Sequence, residues 1–253
     1  VNTLERAFRI IALVVANQAQ GLTFAQIVAE TGAPKASAHR ILKELVRLGY
    51  LVLDPETARY RGSLKLSGLG SEVVANFDLH NQVRANLLAL HRETEHACHL
   101  GIRSGGVGVY LDKIESRDYG IKLFSEVGKS FPLHCTALGK VLLAFMDRGE
   151  AEEILSQPLR ALTDKTIIRA AGLKEELAQI RQQGFALDRE EITRGLMCVA
   201  APVFGPKGRI LGALSTTFPA YIQAEKGIDL EIEAVKRHAR DASRVLGGGR
   251  EPD

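Results

Sequence analysis

Residues 33–51 read "APKASAHRILKELVRLGYL". Ala38, Ile41, Leu42 and Leu45 fall at the i, i+3, i+4, i+7 spacing of a helix with one apolar stripe, so that stripe must face a core. Pro34 suits the first helical position, where its missing N–H costs nothing. Gly49 closes the helix. Lys35, Ala36, Ser37, His39, Arg40 and Lys43 are left on or beside the outer face. Such a basic face serves equally as a solvated surface or as a surface that reads DNA, and the flanking residues distinguish the two.

Upstream, residues 4–18 form a helix with Leu4, Phe8, Ile11 and Val15 on one face. Next, Thr23 with Gln26 makes a capping box and Leu22 with Ile27 a hydrophobic staple, so a second helix starts at Phe24 and ends near Thr31-Gly32. Downstream, "YLVLDPETARYRG" (50–62) places two short apolar runs around Asp54-Pro55-Glu56, a β-hairpin pattern. Three helices with a tight second turn and a trailing hairpin make a winged helix-turn-helix over residues 1–63.

Charge supports the DNA reading. The formal net charge is +3, and residues 1–63 hold eight basic against five acidic residues, so the whole excess lies at that end. In a DNA complex Lys35, Ala36, Ser37 and His39, near the helix start, meet base edges and adjacent phosphates, while Arg40 and Lys43 reach a base or a phosphate. Arg40 also borders the buried stripe, which gives it an equally good structural role. Arg59 and Arg61 on the hairpin suit phosphate or minor-groove contact. The partner this implies is double-stranded operator DNA.

With 253 residues the chain has room for two modest domains. Cys98, Cys135 and Cys198 are odd in number and far apart, which suits a reducing cytoplasm. No apolar run approaches a membrane span, and Glu5, Arg6 and Arg9 lie too close together for a secretory leader, so no membrane partner is expected. Residues 64–79 read as a linker helix with Leu69, Val73 and Phe77 four apart, followed by a helix over 80–95.

From residue 96 the period changes to that of strands. "ACHLGIRSGGVGVYLDKI" (97–114) is a hairpin around Ser104-Gly105-Gly106, and "YGIKLFSEV" (119–127) a third strand. Helices follow from Thr136, over 149–157 and over 172–183, the last stopped by Gly184; strands at 185–188, 197–204 and 209–217 and a helix over 228–246 complete an antiparallel α+β domain, 80–248. The tail 249–253 reads as disordered. His96, Cys98 and His99 lack a second ligand pair, so no metal is expected, nor any other cofactor. His134, Cys135, Asp188, Glu191 and Cys198 include nucleophile and base types, yet no elbow, phosphate loop or metal motif accompanies them, which argues against an enzyme.

"GFALDREEITRGLMCVAAPVF" (184–204) resembles the signature of IclR-type bacterial transcriptional regulators, with Gly205 where Asp or Asn is usual. "PKASAHRILKELVRLGYL" (34–51) resembles the family's recognition-helix block, with Ala36 where serine is common, and "LHCTALGKVLLAF" (133–145) resembles a third block. The resemblance implies a winged helix-turn-helix joined by the linker helix to a GAF/PAS-like α/β effector domain. It also implies assembly as a homodimer or dimer of dimers.

Small-molecule contacts are carried by the same resemblance onto Thr136, Ala137, Leu138, Asp188, Cys198, Ser215 and Thr217. A helix opening near Thr136 directs free N–H groups at an anion, although small residues there serve simple packing equally well. Leu123, Phe124, Leu142 and Met197 add apolar lining or belong to the core. Such a pocket suits a small organic acid. An ionised Asp188 would repel that acid, so it must hold a ligand hydroxyl, pair with a cation or carry a proton. The alternatives are a DNA-binding protein without an effector and an enzyme using Asp188 and Cys198.

Overall fold

The computed structural model describes residues 2–75, 78–116 and 125–248, and the chain divides into two compact units, Val1–Ala75 and Asn76–Asp253.

In the first unit, α1 (Thr3–Ala16) is capped by the Asn2 side chain, which accepts from Glu5 N at 2.8 Å. A two-residue strand β1 (Leu22–Thr23) leads into α2 (Phe24–Thr31), where Thr23 and Gln26 make the full capping box and Gly32 ends the helix in the left-handed region at φ 63°. Helix α3 (Lys35–Arg47) follows after a three-residue turn, 32–34. Pro34 is its N-cap rather than its first helical residue, because its ψ of 133° is extended.

The wing strands β2 (Leu51–Leu53) and β3 (Arg59–Gly62) pair antiparallel, and β1 joins the outer edge of β3. Helix α4 (Leu64–Ala75) completes the unit. Ala38, Ile41, Leu42 and Leu45 are buried as their spacing requires, and the last three pack with Ile10, Val14, Leu22, Ile27 and Leu51.

Helix α1 turns the other way from expectation. Ile10 and Val14 are buried, whereas Leu4 and Phe8 are 66% and 63% exposed and Val15 is also exposed. The helix is apolar on two adjacent stripes, and periodicity alone could not choose between them. Packing against α2 and α3 selects the Ile10 and Val14 stripe.

The second unit is a six-stranded antiparallel sheet in the order β6-β5-β4-β9-β8-β7. Its strands are β4 (Ala97–Ser104), β5 (Val107–Ile114), β6 (Ser130–Phe131), β7 (Ala186–Arg189), β8 (Leu196–Phe204) and β9 (Ile210–Pro219). Helices α5 (Asp78–Thr94) and α10 (Asp229–Val245) cover one face, where Leu87, Leu90, Val199, Leu214 and Val235 pack together. On the other face lie α6 (Ala137–Phe145) and α8 (Ala170–Gln183); α7 (Arg148–Leu155) and the short α9 (Tyr221–Lys226) complete the unit.

The α6 face of the sheet is built from small residues, Ala186, Ala200 and Ala213, so the helix lies close to it. Gly139 is required where the segment 133–136 folds back on α6, since a Cβ there would sit 2.5 Å from the Leu133 backbone. Most of the strand expected at 119–127, and the tail 249–253, fall outside the described residues. Strands β1 and β6 and helix α9 were not anticipated, being too short to carry a period. Among the described residues no helix is long and apolar enough to cross a membrane.

Candidate operator and effector sites

On α3, Lys35, Ala36, His39, Arg40 and Lys43 are exposed and Ser37 is half-buried. Among the described residues, Lys35, His39, Arg40 and Lys43 have no ion-pair partner, while Arg47 at the far end is paired with Glu44. The open part of the helix is thus the cationic part. Ser37 Oγ accepts from Arg6 of α1 at 3.4 Å, and His39 packs edge-on against Phe24 of α2 at 6.0 Å. Both contacts orient the first turn of α3 from neighbouring helices.

The wing arginines are committed elsewhere. Arg59 donates to the Gly21 carbonyl at 2.9 Å; Arg61 donates to the Gln20 carbonyl at 3.3 Å and pairs with Asp54 at 3.4 Å. They hold the turn before β1 against the wing. Asp54 also accepts from the Glu56 and Thr57 amides, so the wing tip is acidic and tightly turned. In the same unit Leu4, Phe8, Ile11, Leu48, Leu66 and Leu69 line an apolar groove of about 640 Å³.

In the second unit a cavity of about 510 Å³ opens over the sheet. Its floor is His99, Tyr110, Cys198 and Thr217; its rims are residues 129–132 and 192–196, with Ser125 beside His99. Antiparallel register brings the floor together. Asp188 faces Cys198, Cys198 faces Thr217, and His99 faces Ser215, all on the α6 face of the sheet. Cys198 Sγ lies 3.1 Å from Thr217 Oγ1. Burial raises the Cys198 thiol and the Tyr110 phenol, so both are neutral.

Of the residues expected to contact an effector, Cys198 and Thr217 line this cavity. Asp188 and Ser215 lie buried beneath it. Asp188 Oδ1 accepts from Glu191 N at 2.7 Å, while Asp188 Oδ2 and Glu191 Oε2 lack partners among the described residues. Burial, followed by the Glu191 charge, raises the Asp188 carboxyl to about 7 against the favourable backbone bonds.

Below this pair sits Lys140 of α6, wholly buried, with Nζ 2.5 Å from Glu191 Oε1 and 3.0 Å from Glu176 Oε1 of α8. Thr163 and Thr166 hydroxyls donate to the Glu191 carbonyl. The loop 190–195, which forms a cavity rim, is therefore pinned from underneath by a charge cluster.

Thr136 caps α6, accepting from Gly139 N at 3.0 Å and donating to the Pro132 carbonyl at 2.9 Å. Thr136, Ala137 and Leu138 are buried, with Leu133 packed against this turn, so the helix start does not border the cavity. Leu142 and Met197 are core residues on opposite faces of the sheet, and Leu123 and Phe124 lie outside the described residues. The "HACH" side chains diverge: His96 meets Glu231 at 3.1 Å, Cys98 packs with α5 and α10, and His99 reaches Ser125.

Sequence reasoning missed His99, Tyr110, Lys129 and the Lys140 cluster. Alternation along 97–104 placed His99 on one sheet face, but only the β4–β9 pairing identifies that face as the one carrying Thr217.

Two family models match the chain: the bacterial transcriptional regulator IclR C-terminal domain over residues 71–244 and the IclR helix-turn-helix domain over residues 3–55. The HTH-type transcriptional regulator XynR of Escherichia coli is 37% identical over 216 residues, covering 85% of each chain. Among solved structures, IclR of Thermotoga maritima superposes with a TM-score of 0.77 at 31% identity, covering 97% of this chain and 99% of that one. An IclR homolog from Microbacterium hydrocarbonoxydans, solved in complex with 4-hydroxybenzoate, shares the fold with a TM-score of 0.81 at 19% identity, covering 97% and 99% of the two chains. A helix-turn-helix with open cations, an antiparallel domain with a cavity over its sheet and both family models converge: the chain belongs to the IclR family of bacterial transcriptional regulators.

Proposed function

We propose that the protein is a cytoplasmic, sequence-specific repressor or activator whose operator binding responds to a small organic acid. Its family makes it a transcriptional regulator with a DNA-binding and an effector domain, not an enzyme. The observation that carries the DNA reading is the unpaired cationic face of α3. Lys35, Ala36, Ser37 and His39 meet bases and adjoining phosphates in the major groove; Arg40 and Lys43 add phosphate contacts. Arg59 and Arg61 support this face indirectly by bracing the wing.

The effector enters the cavity floored by Cys198 and Thr217. Asp188 and Ser215 back the cavity from beneath its floor. Below about pH 7 Asp188 carries a proton, so it does not repel an anion. That a homolog of the same fold was solved with 4-hydroxybenzoate supports an acid of this size.

Two copies meet through the apolar surface of α1 and α4. Leu4, Phe8, Leu64, Leu69 and Val73 are exposed there, and apolar side chains gathered on one surface suit a contact between protein copies. Pairing of two winged helices reads a two-fold operator, as a homodimer or dimer of dimers. Titrating operator binding against a panel of small carboxylates tests the reading. A shift of operator affinity by one of them supports it, and indifference to all, with no acid bound by the protein, refutes the effector half.

A further inference from the structure

The cavity holds a hydrogen-bond donor that none of the expected effector residues supplies. His99 is 3% exposed, lines the cavity and packs on Tyr110 with ring centroids 5.3 Å apart. Its Nε2 lies 2.9 Å from Ser125 Oγ, and Nδ1 has no partner among the described residues. The Ser125 hydroxyl, in turn, has no other acceptor among those residues, and the Ser125 carbonyl is taken by Lys113 Nζ at 2.7 Å. With the Ser125 hydroxyl assigned as the donor to Nε2, the neutral ring carries its proton on Nδ1. Burial, then the Lys113 charge, holds the ring neutral by lowering its pKa to about 3.

The mouth differs from the floor. Lys129 borders it, is exposed and has no ion pair among the described residues. Inside, the polar groups are the neutral imidazole, the Tyr110 phenol, the Thr217 hydroxyl and the Cys198 thiol. An ionised carboxylate costs least at a solvent edge beside a cation and most in a dry interior of neutral groups.

We propose that the cavity takes a small acid end-on, its carboxylate at the mouth against Lys129 and a hydroxyl or carbonyl oxygen inward, accepting from His99 Nδ1, which makes His99 the residue that selects hydroxy- and oxo-acids over plain ones. This rests on the reading that a small acid occupies this cavity. It places the carboxylate away from the start of α6, whose residues Thr136, Ala137 and Leu138 do not line the cavity.

Calorimetric titration of the full chain with acids matched except for one oxygen tests this: 4-hydroxybenzoate against benzoate, and 2-oxobutyrate against butyrate. The wild type binds the oxygen-bearing member of at least one pair roughly tenfold or more tightly, because the plain acid strands a buried donor. His99→Leu erases that preference. His99→Asn, which keeps an N–H near the Nδ1 position, retains part of it, whereas His99→Gln, which keeps the reach to Ser125, does not. Lys129→Ala weakens both members of a pair equally and leaves their ratio unchanged. Thermal unfolding identifies the folded variants; if His99→Leu does not fold, the Asn and Gln variants decide. An intact preference in folded His99→Leu or His99→Gln, or a changed ratio in Lys129→Ala, overturns the assignment while the acid reading survives. Failure of the wild type to bind any of the four acids at millimolar concentration counts against both.

Discussion

The charges of the two units are arranged in opposite ways. On α3, Lys35, Arg40 and Lys43 stand in solvent with no ion-pair partner among the described residues, whereas beneath the effector cavity Lys140 is fully buried and shared between Glu176 and Glu191. An exposed, unpaired cation costs the fold little and is available to a polyanion. A buried one is tolerated only with its counter-charges and fixes the segments that carry them. Charge count therefore says little about role, and partner count says more. The wing makes the same point within one unit, since Arg59 and Arg61 carry the same charge as Arg40 but are spent on the Gly21 and Gln20 carbonyls.

The largest effect should come from breaking the buried side. Lys140→Ala leaves Glu191 and Glu176 without their shared cation, and losing one partner of a buried pair costs about 3–5 kcal/mol. Chemical denaturation should show that loss; a change below about 1 kcal/mol would mean the cluster does not pin the loop 190–195.

On the open side, the Lys35→Ala/His39→Ala/Lys43→Ala triple variant should lose about 3 kcal/mol of operator binding, roughly a hundredfold, while remaining folded. Unaltered binding by a folded triple variant would put the DNA face elsewhere.

Asp188 sharpens the comparison through pH. Its folded pKa of about 7 lies above its unfolded value near 3.8. The folded state therefore holds a proton that the unfolded state has lost, and this group's contribution falls as pH rises from about 4 to about 7, then levels off. Asp188→Asn keeps the bond to Glu191 N and removes the ionisation. It should raise stability above pH 7 by about 2 kcal/mol while changing little below pH 4. An equal effect at both ends would show that folding leaves the carboxyl's pKa unshifted.

How much of this was legible in the sequence follows the same division. The α3 stripe, the Thr23–Gln26 box and the Gly184 stop are local signals, each written within one short stretch of sequence, and all three are present. The burial of α1 was not legible, because Ile10 and Val14 compete with Leu4 and Phe8 on a helix apolar on both stripes. The bonds of Arg59 and Arg61 are not legible either, because their acceptors are backbone carbonyls some forty residues away, which leave no mark on composition. The cavity depended on cross-strand register. Cys198 and Thr217 follow from the family resemblance, but His99 requires knowing that β4 pairs with β9.

The smallest expected effect tests the contrast between free and committed cations most directly. Operator affinity measured against salt concentration for the wild type, Lys43→Ala and Arg61→Ala isolates phosphate contacts, since each one lost lowers the logarithmic slope by about 1. The account predicts a flatter slope for Lys43→Ala and a wild-type slope for Arg61→Ala. A wild-type slope for Lys43→Ala together with a flatter one for Arg61→Ala would contradict it.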